Sequence, residues 1–550
     1  MSPRAGGGEP GQNPAGWTAL VFIGLGLSMI VMDVTIVNVS LPQIIEDLDI
    51  SSIDSEWVQS MYSLVFAALL ITFGRLGDKV GRRTVFVIGS VVFGVASAIA
   101  TQVDTGAQLI AVRALQGVGG AMISPNSLSL LNSLYQGRRR NVAFAVYGAI
   151  LAGMAGIGPL LGGYLTEYYS WRHSFGVNVP IAIVVIIGCL WFVPNTKDEH
   201  ALGRDLWGML LSAVGIGALV FGLIEGRTDG WWIAIRDVHL LGITFTEGGL
   251  SPVPIAFAVA VVTLVGLWFF EEGRRRRKAA LLIDMTLFKI KSFGFGSLVA
   301  LIVSLGEFGI LFALPLFVQN ALGYSPLSSG ALTASVAAGA LVAGATAAQL
   351  ANRTSPRAVT RLGMALEVAG IVSLGLVVSA HVPRWHMVVC LVVYGVGIGL
   401  AQSQLVNIIL GKVPVEESGQ ASGTEATARR IGTALGSAVV GTVLFVGLQS
   451  DTERKVGEVE GVTAEQATEI GKAVEDSDGV AISELARQPG GEAVAEASRE
   501  AFAEALRRTA FVAGGLVAVG LATTAVLPSG RPEDTVRRSP SGPRRSPTRT

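Results

Sequence analysis

The decapeptide GRLGDKVGRR, residues 74–83, joins two uncharged apolar runs at 57–73 and 84–102. Each run approaches the ~20 residues that an α-helix needs to cross a hydrocarbon core. Glycines let the connecting chain turn tightly. Arg75, Lys79, Arg82 and Arg83 crowd the turn with positive charge, which marks a cytoplasmic loop by the positive-inside rule. Asp78 is the lone acid among them. A carboxylate there can accept hydrogen bonds from a neighbouring helix N-terminus and pair with arginines. The segment reads as a latch built from Gly74, Asp78, Gly81, Arg82 and Arg83.

Working outward, the whole chain has the character of those two flanks. Of 550 residues, 51% are apolar and only 15% charged, against ~25% charged in a soluble domain. Too few charges exist to cover a soluble surface of this size. Candidate spans fall at 17–39, 57–73, 84–102, 107–134, 141–165, 174–194, 206–225, 253–270, 292–318, 328–350, 358–380, 386–410, 419–448 and 509–527. Fourteen spans would use about 280 residues, close to the apolar half. The chain is thus expected to be an all-α polytopic membrane protein. Alternate loops are basic: Arg138 to Arg140, Arg274 to Lys278, and Arg353 with Arg357. The loop after the first span holds only acids, Glu46, Asp47, Asp49, Asp54 and Glu56. An even span count with both termini in the cytoplasm follows. The Arg-rich, Ala- and Gly-rich composition suggests a bacterial plasma membrane.

Several classes of function are disfavoured. Lys plus Arg and Asp plus Glu both total 41, so bulk charge drives no nucleic-acid binding. The two cysteines, Cys189 and Cys390, lie in apolar runs and supply no disulfide framework or metal site. The five histidines lack metal-ligand spacing, and there is no phosphate-cradling Gly-x4-Gly-Lys loop. No enzyme, metal or cofactor is expected.

A weak echo of the opening segment recurs at AQLANRTSPR, residues 348–357, with Asn352 at the acid's place. Repeated halves are a transporter signature. The expected organisation is an N-terminal tail (1–16), a first six-helix bundle (17–194), an inserted two-helix hairpin (206–270), a second six-helix bundle (292–527) with an outer loop at 450–507, and a disordered tail (528–550). In the outer loops, 239–249 suggests a short hairpin, Trp231 and Trp232 suit a membrane interface, and Thr463-x-x-Gln466 is a capping box. A helix is expected from Glu492 into the last span.

Charges inside the spans carry the functional reading. Asp33 lies within an apolar helix, where a central charge costs ~2.5–3.5 kcal/mol; it is a protonation switch or a hydrogen-bonding partner of Thr35 and Asn38. Arg113 needs a carboxylate or carbonyls and is expected to line a cavity with Gln116. Glu307 sits in the middle of its span without a basic neighbour. Glu425 has Arg429 four residues on, so a local ion pair competes with a cavity role. Glu367 is read as reaching water at the cytoplasmic end, and Glu225 as an outer-surface residue. Gly153, Gly156, Gly158, Pro159, Gly162 and Gly163 permit close helix approach and bending. Trp57, Tyr62, Phe66, Tyr147, Phe308, Phe312 and Phe317 offer faces for a flat or cationic ligand, or simply core packing.

These motifs together resemble the major facilitator superfamily. Residues 74–83 are similar to its signature loop. Leu109-x3-Arg113-x2-Gln116-Gly117-x-Gly119 is similar to its fourth-helix motif, and Gly153 to Gly163 to the fifth-helix motif of its antiporters. Asp33-Val-Thr35-Ile-Val-Asn38-Val-Ser-Leu41-Pro42, with Trp171-Arg172 and Asn178-Val-Pro180, resembles the fourteen-helix drug/proton antiporter branch. The second half matches less well. The resemblance implies two six-helix bundles plus an inserted hairpin, a role for Arg113 in proton transfer, and a leak-controlling hinge at 153–163. The expected function is proton-coupled export of hydrophobic or cationic drugs by alternating access, by a monomer. Asp33, Arg113, Glu307 and Glu425 would couple protons. Asp33, Glu307, Glu425, Asn38, Gln116, Tyr62 and Phe312 would meet the substrate. Export of a lipid or endogenous natural product is the alternative, and a non-transporting scaffold a remote one.

Overall fold

The computed structural model describes residues 16–526 apart from 51, 198–204, 227, 241, 278 and 280. Most of the two terminal tails, and the side chains of Asn38 and Phe308, therefore lie outside the described residues. The chain is helical: α1 (Trp17–Leu48), α2 (Ser52–Val80), α3 (Arg82–Ala100), α4 (Gly106–Leu134), α5 (Gly137–Tyr168), α6 (Trp171–Gly176), α7 (Asn178–Phe192), α8 (Leu206–Glu225), α9 (Pro252–Arg276), α10 (Lys291–Leu316), α11 (Pro326–Arg353), α12 (Pro356–Val377), α13 (Arg384–Leu410), α14 (Ser418–Gly457), α15 (Ala464–Asp476), α16 (Ala481–Leu485) and α17 (Glu492–Thr523). The starts are written in the sequence. Ser251, Ser325 and Ser355 each stand before a proline and cap the next helix, accepting from the backbone N–H of Val253, Ser328 and Ala358.

Twelve segments among the described residues are long and apolar enough to cross a membrane, where the sequence suggests fourteen. The difference lies in α4 and α5. At 29 and 32 residues they reach about 43 Å or more. Yet α4 carries Arg113, Gln116, Asn126 and Asn132, and α5 opens with three arginines. Both are long enough to span, but their polar residues dilute the apolar signal.

α1–α7 pack together as one half and α10–α14 with α17 as the other. The halves meet where α5 lies on α11 and α2 on α14. The α8/α9 hairpin docks on α2 and α14 through Ala67, Ile71, Ile216 and Val220. Outward faces are apolar: Val262, Phe269 and Trp191 are each at least 70% exposed, as lipid contact requires. Glu225 is only 2% exposed, so it is no surface residue. α14 and α17 continue well past the apolar runs; α15, opened by the expected Thr463–Gln466 capping box, packs against α14, and α16 against α17. The short antiparallel pair Val238–Leu240 with Ile243–Phe245 forms the expected hairpin.

Candidate functional site

Three polar assemblies occupy this apolar interior. The first ties the N-terminal half together. Asp33 on α1 is fully buried. Its Oδ2 receives Arg113 Nη1 at 2.5 Å, and its Oδ1 receives Gln116 Nε2 at 3.1 Å and Asn178 Nδ2 at 2.9 Å. Arg113 also donates to Gln116 Oε1 (2.8 Å) and to the Val58 carbonyl (3.1 Å). Its guanidinium lies 4.4 Å from the centre of the Tyr62 ring. Gln116 reaches Ser97 on α3 at 2.9 Å. Five helices thus meet at one neutral cluster, the arrangement that makes an ion pair tolerable in low dielectric.

The second assembly lines a cavity of about 180 Å³ between the halves. Glu307 on α10 receives Gln402 Nε2 at both oxygens, at 2.8 and 2.7 Å. Gln402 Oε1 accepts from Arg429, and Arg429 donates in turn to Glu425. The result is one continuous chain, Glu307–Gln402–Arg429–Glu425, joining α10, α13 and α14. The i,i+4 ion pair and the cavity position of Glu425 therefore coexist. Arg430 also faces the cavity, 4.2 Å above the centre of the Phe66 ring, and makes no salt bridge among the described residues. The opposite wall is α1, through Val31, Val34 and Thr35. Asp33 is not on that wall, since it lies about 100° or more round the helix from those three residues. Gln116, Tyr62 and Phe312 do not line the cavity either; Phe312 is 41% exposed and packs edge-on against Phe445. Phe66 and Tyr147 do line it.

The third assembly is the latch. Asp78, fully buried, accepts from the free backbone N–H groups of Gly419 (2.8 Å) and Gln420 (3.0 Å) at the start of α14. Arg82 adds two bonds, at 3.0 and 2.8 Å. A Cβ at Gly74 would come within 2.4 Å of the Gly419 carbonyl oxygen; only glycine allows this crossing. Gly81 has φ +120° and turns the chain into α3. Arg83 bonds the Val193 carbonyl at 3.0 Å, inside its own half. Beside α14, Glu417 feels burial first and Asp284 second, and both raise its carboxyl above the ordinary range. Ionising Glu417 therefore works against this folded arrangement; the cost is absent at acid pH and is reached as the pH climbs through the raised value. Further bonds cross between the halves: Asn132 Nδ2 to Ser418 Oγ (2.8 Å) and Asn407 Nδ2 to Asn141 Oδ1 (2.7 Å). Asn352, in the echo of the opening segment, receives Asn141 Nδ2 at 3.3 Å.

The α5 glycines of 153–163 divide between two neighbours, α1 of the same half and α11 of the other. Cβ atoms at Gly158 and Gly162 would strike Thr35 and Ile36 of α1, and one at Gly156 would meet Ala337 Cβ of α11 at 2.6 Å. Gly153 faces Leu341, Gly163 faces Leu327, and Pro159 backs onto Gly330. Sequence reasoning gave no site role to Gln402, Arg430, Asn132, Asn141 or Asn407, and it named Asn178 only within a motif. The signal was present, as polar residues inside apolar runs. Glu367, expected to reach water, is instead fully buried on α12. Among the described residues no cluster suited to a metal ion appears.

Residues 23–437 match the family model of the Major Facilitator Superfamily. The chain is 30% identical to the multidrug efflux pump LfrA of Mycolicibacterium smegmatis, covering 93% of this chain and 96% of that protein. It is 32% identical to the puromycin resistance protein pur8 of Streptomyces alboniger, over 79% and 82% of the two chains. Among solved structures, the human organic anion transporter MFSD10 (TETRAN) aligns at 13% identity with a TM-score of 0.59, covering 93% of this chain and all of that one; this likeness concerns the fold.

Proposed function

The chain belongs to the Major Facilitator Superfamily, and on that premise we propose that it is a proton-coupled exporter of hydrophobic, often cationic compounds. It is a membrane transporter and not an enzyme. The named relatives support drug efflux as its general activity. We read α4 and α5 as crossing the membrane beside the twelve more apolar segments. Fourteen spans place the latch and both termini in the cytoplasm of a bacterial cell, and the molecule acts as a monomer.

One observation carries the coupling: the acids Glu307 and Glu425 stand on the wall of a cavity between two halves, joined through Gln402 and Arg429. A proton and a cationic cargo compete there for the same carboxylates. Protonation removes the charge that Arg429 answers, loosens the chain and frees the cargo. The cavity's ~180 Å³ is below the ~300–1,000 Å³ of ligand pockets, so cargo requires the halves to part. The latch holds them on the cytoplasmic side, and the α5 glycines supply the surface on which they rock. Asp33 and Arg113 set the proton affinity of the N-terminal half. One charge crossing ~100 mV is worth ~2.3 kcal/mol. Exchanging one proton for one monovalent cation moves no net charge, so use of the potential requires more protons than cargo charges.

The test is uptake into inside-out proteoliposomes under an imposed pH gradient, with tetraphenylphosphonium and puromycin as probes. The expected result is gradient-dependent accumulation of at least one probe, reduced at least tenfold in Asp33→Asn and Glu307→Gln. Wild-type protein that moves neither probe with the gradient overturns the reading. Unchanged uptake in Asp33→Asn removes that residue from it.

A further inference from the structure

Glu367 is an interior acid that the proposed mechanism leaves unused. It lies on α12, fully buried, and neither carboxyl oxygen has a hydrogen-bond partner among the described residues. Its place is shaped by glycines. A Cβ at Gly397 of α13 would come within 2.5 Å of the Glu367 N and 2.7 Å of its Cγ. One at Gly363 would meet Ala401 N at 2.5 Å, and one at Gly370 would meet Tyr394 N at 2.6 Å. α12 and α13 are therefore pressed backbone to backbone, and the Glu367 side chain passes through the notch that Gly397 leaves.

The charged and titratable groups bearing on it come from three directions. Glu307 of α10 and Arg429 of α14 both interact with its charge. Tyr394 of α13 interacts with both acids, and its hydroxyl donates to the Glu307 carbonyl oxygen at 3.0 Å. From α17, Arg507 donates to the Val378 carbonyl beyond the end of α12, about three turns away. The stretch of α11 inside the membrane, 327–344, contains no charged residue. Arg429 is already committed to Glu425 and Gln402. Glu367 is thus a buried carboxyl with no hydrogen bond and no salt bridge among the described residues. Burial without hydrogen bonds disfavours the charged form of a carboxyl.

We propose that Glu367 is a second proton-binding site coupled to Glu307, so that the C-terminal half carries one more proton per cycle than the cavity acids alone. This rests on the proton-coupled reading above. The chemistry is protonation only: a hydronium ion from the outer side gives its proton to the Glu367 carboxylate, forming an O–H bond and leaving water, and the same bond breaks to water on the cytoplasmic side, with no other reactant.

Two measurements on the purified full-length protein test it. Infrared spectra at neutral pH should show the C=O stretch of a protonated carboxylic acid in wild type, lost in Glu367→Gln and kept, shifted, in Glu367→Asp. Reversal-potential measurements with tetraphenylphosphonium and puromycin should give a proton-to-substrate ratio one lower in Glu367→Gln than in wild type. A band that survives intact in Glu367→Gln, or an unchanged ratio, overturns the proposal while leaving proton coupling in place. If neither probe moves a proton with wild-type protein, the coupled reading falls and this inference with it. Should Glu367→Gln fail to fold, Glu367→Asp decides: an unshifted band assigns the proton elsewhere.

Discussion

Asp78 receives four hydrogen bonds from two directions, the start of α14 and the Arg82 side chain. Removing it leaves Arg82 charged, 1% exposed and without this carboxylate. Breaking such a buried pair costs about 3–5 kcal/mol. Asp78→Ala should lower the melting temperature and cut transport more than tenfold. Asp78→Asn keeps an acceptor for one helix-end amide and should fall between Ala and wild type. Fluorescence-monitored melting and vesicle uptake check the order; equal losses in the two variants would show that charge alone matters. At this scale the sequence was partly legible. A lone acid in a basic glycine turn announces that it needs donors. That the donors are Gly419 and Gln420, some 340 residues on, is written only in packing. Glu367 was misread for a related reason: its position suggests water, but Gly397, whose notch admits its side chain, belongs to another helix.

The glycines of α5 separate two effects at the scale of the helix. Ala in place of Gly favours a helix by about 1 kcal/mol where space exists. At Gly163 the nearest atom to a new Cβ is 3.6 Å away, whereas at Gly156 it is 2.6 Å, with α11 backbone at 3.1 Å. Gly163→Ala should match or exceed wild-type stability. Gly156→Ala should lose about 1–3 kcal/mol through overpacking and slow transport, because it pries α5 from α11. Parallel thermal melts and uptake rates check this; equal behaviour of the two would refute contact as the cause. Helix positions were legible from apolar runs and Ser-Pro caps. The end of α14 was less so, since that helix leaves the apolar stretch and is stabilised there by packing on α15, whereas α17 starts at Glu492 as expected.

Across the whole molecule, the two halves clasp each other twice. Asp78 of the first grips the start of α14, and Asn352 of the second meets Asn141 near the start of α5. The second clasp lacks a formal charge. Asn352→Asp adds one beside a helix N-terminus, worth about 0.3–1 kcal/mol. The closed population should rise about twofold to fivefold, read as spin-label distances between α5 and α11, and turnover should slow. No change in those distances would make the echo of the first segment a relic of sequence alone. That echo is what suggested a two-half plan; the cavity was not legible, because its acids, Gln402 and Arg430 become neighbours only when α10, α13 and α14 assemble. Arg430 has a consequence for selectivity. With both wall acids ionised, the chamber's two carboxylates balance its two guanidiniums, and a positive guest enters a field that is even overall. Each hydrogen ion that arrives tips the chamber toward positive, ejecting that guest and making room for a negative one. Acidity would then select the sign of what the chamber retains.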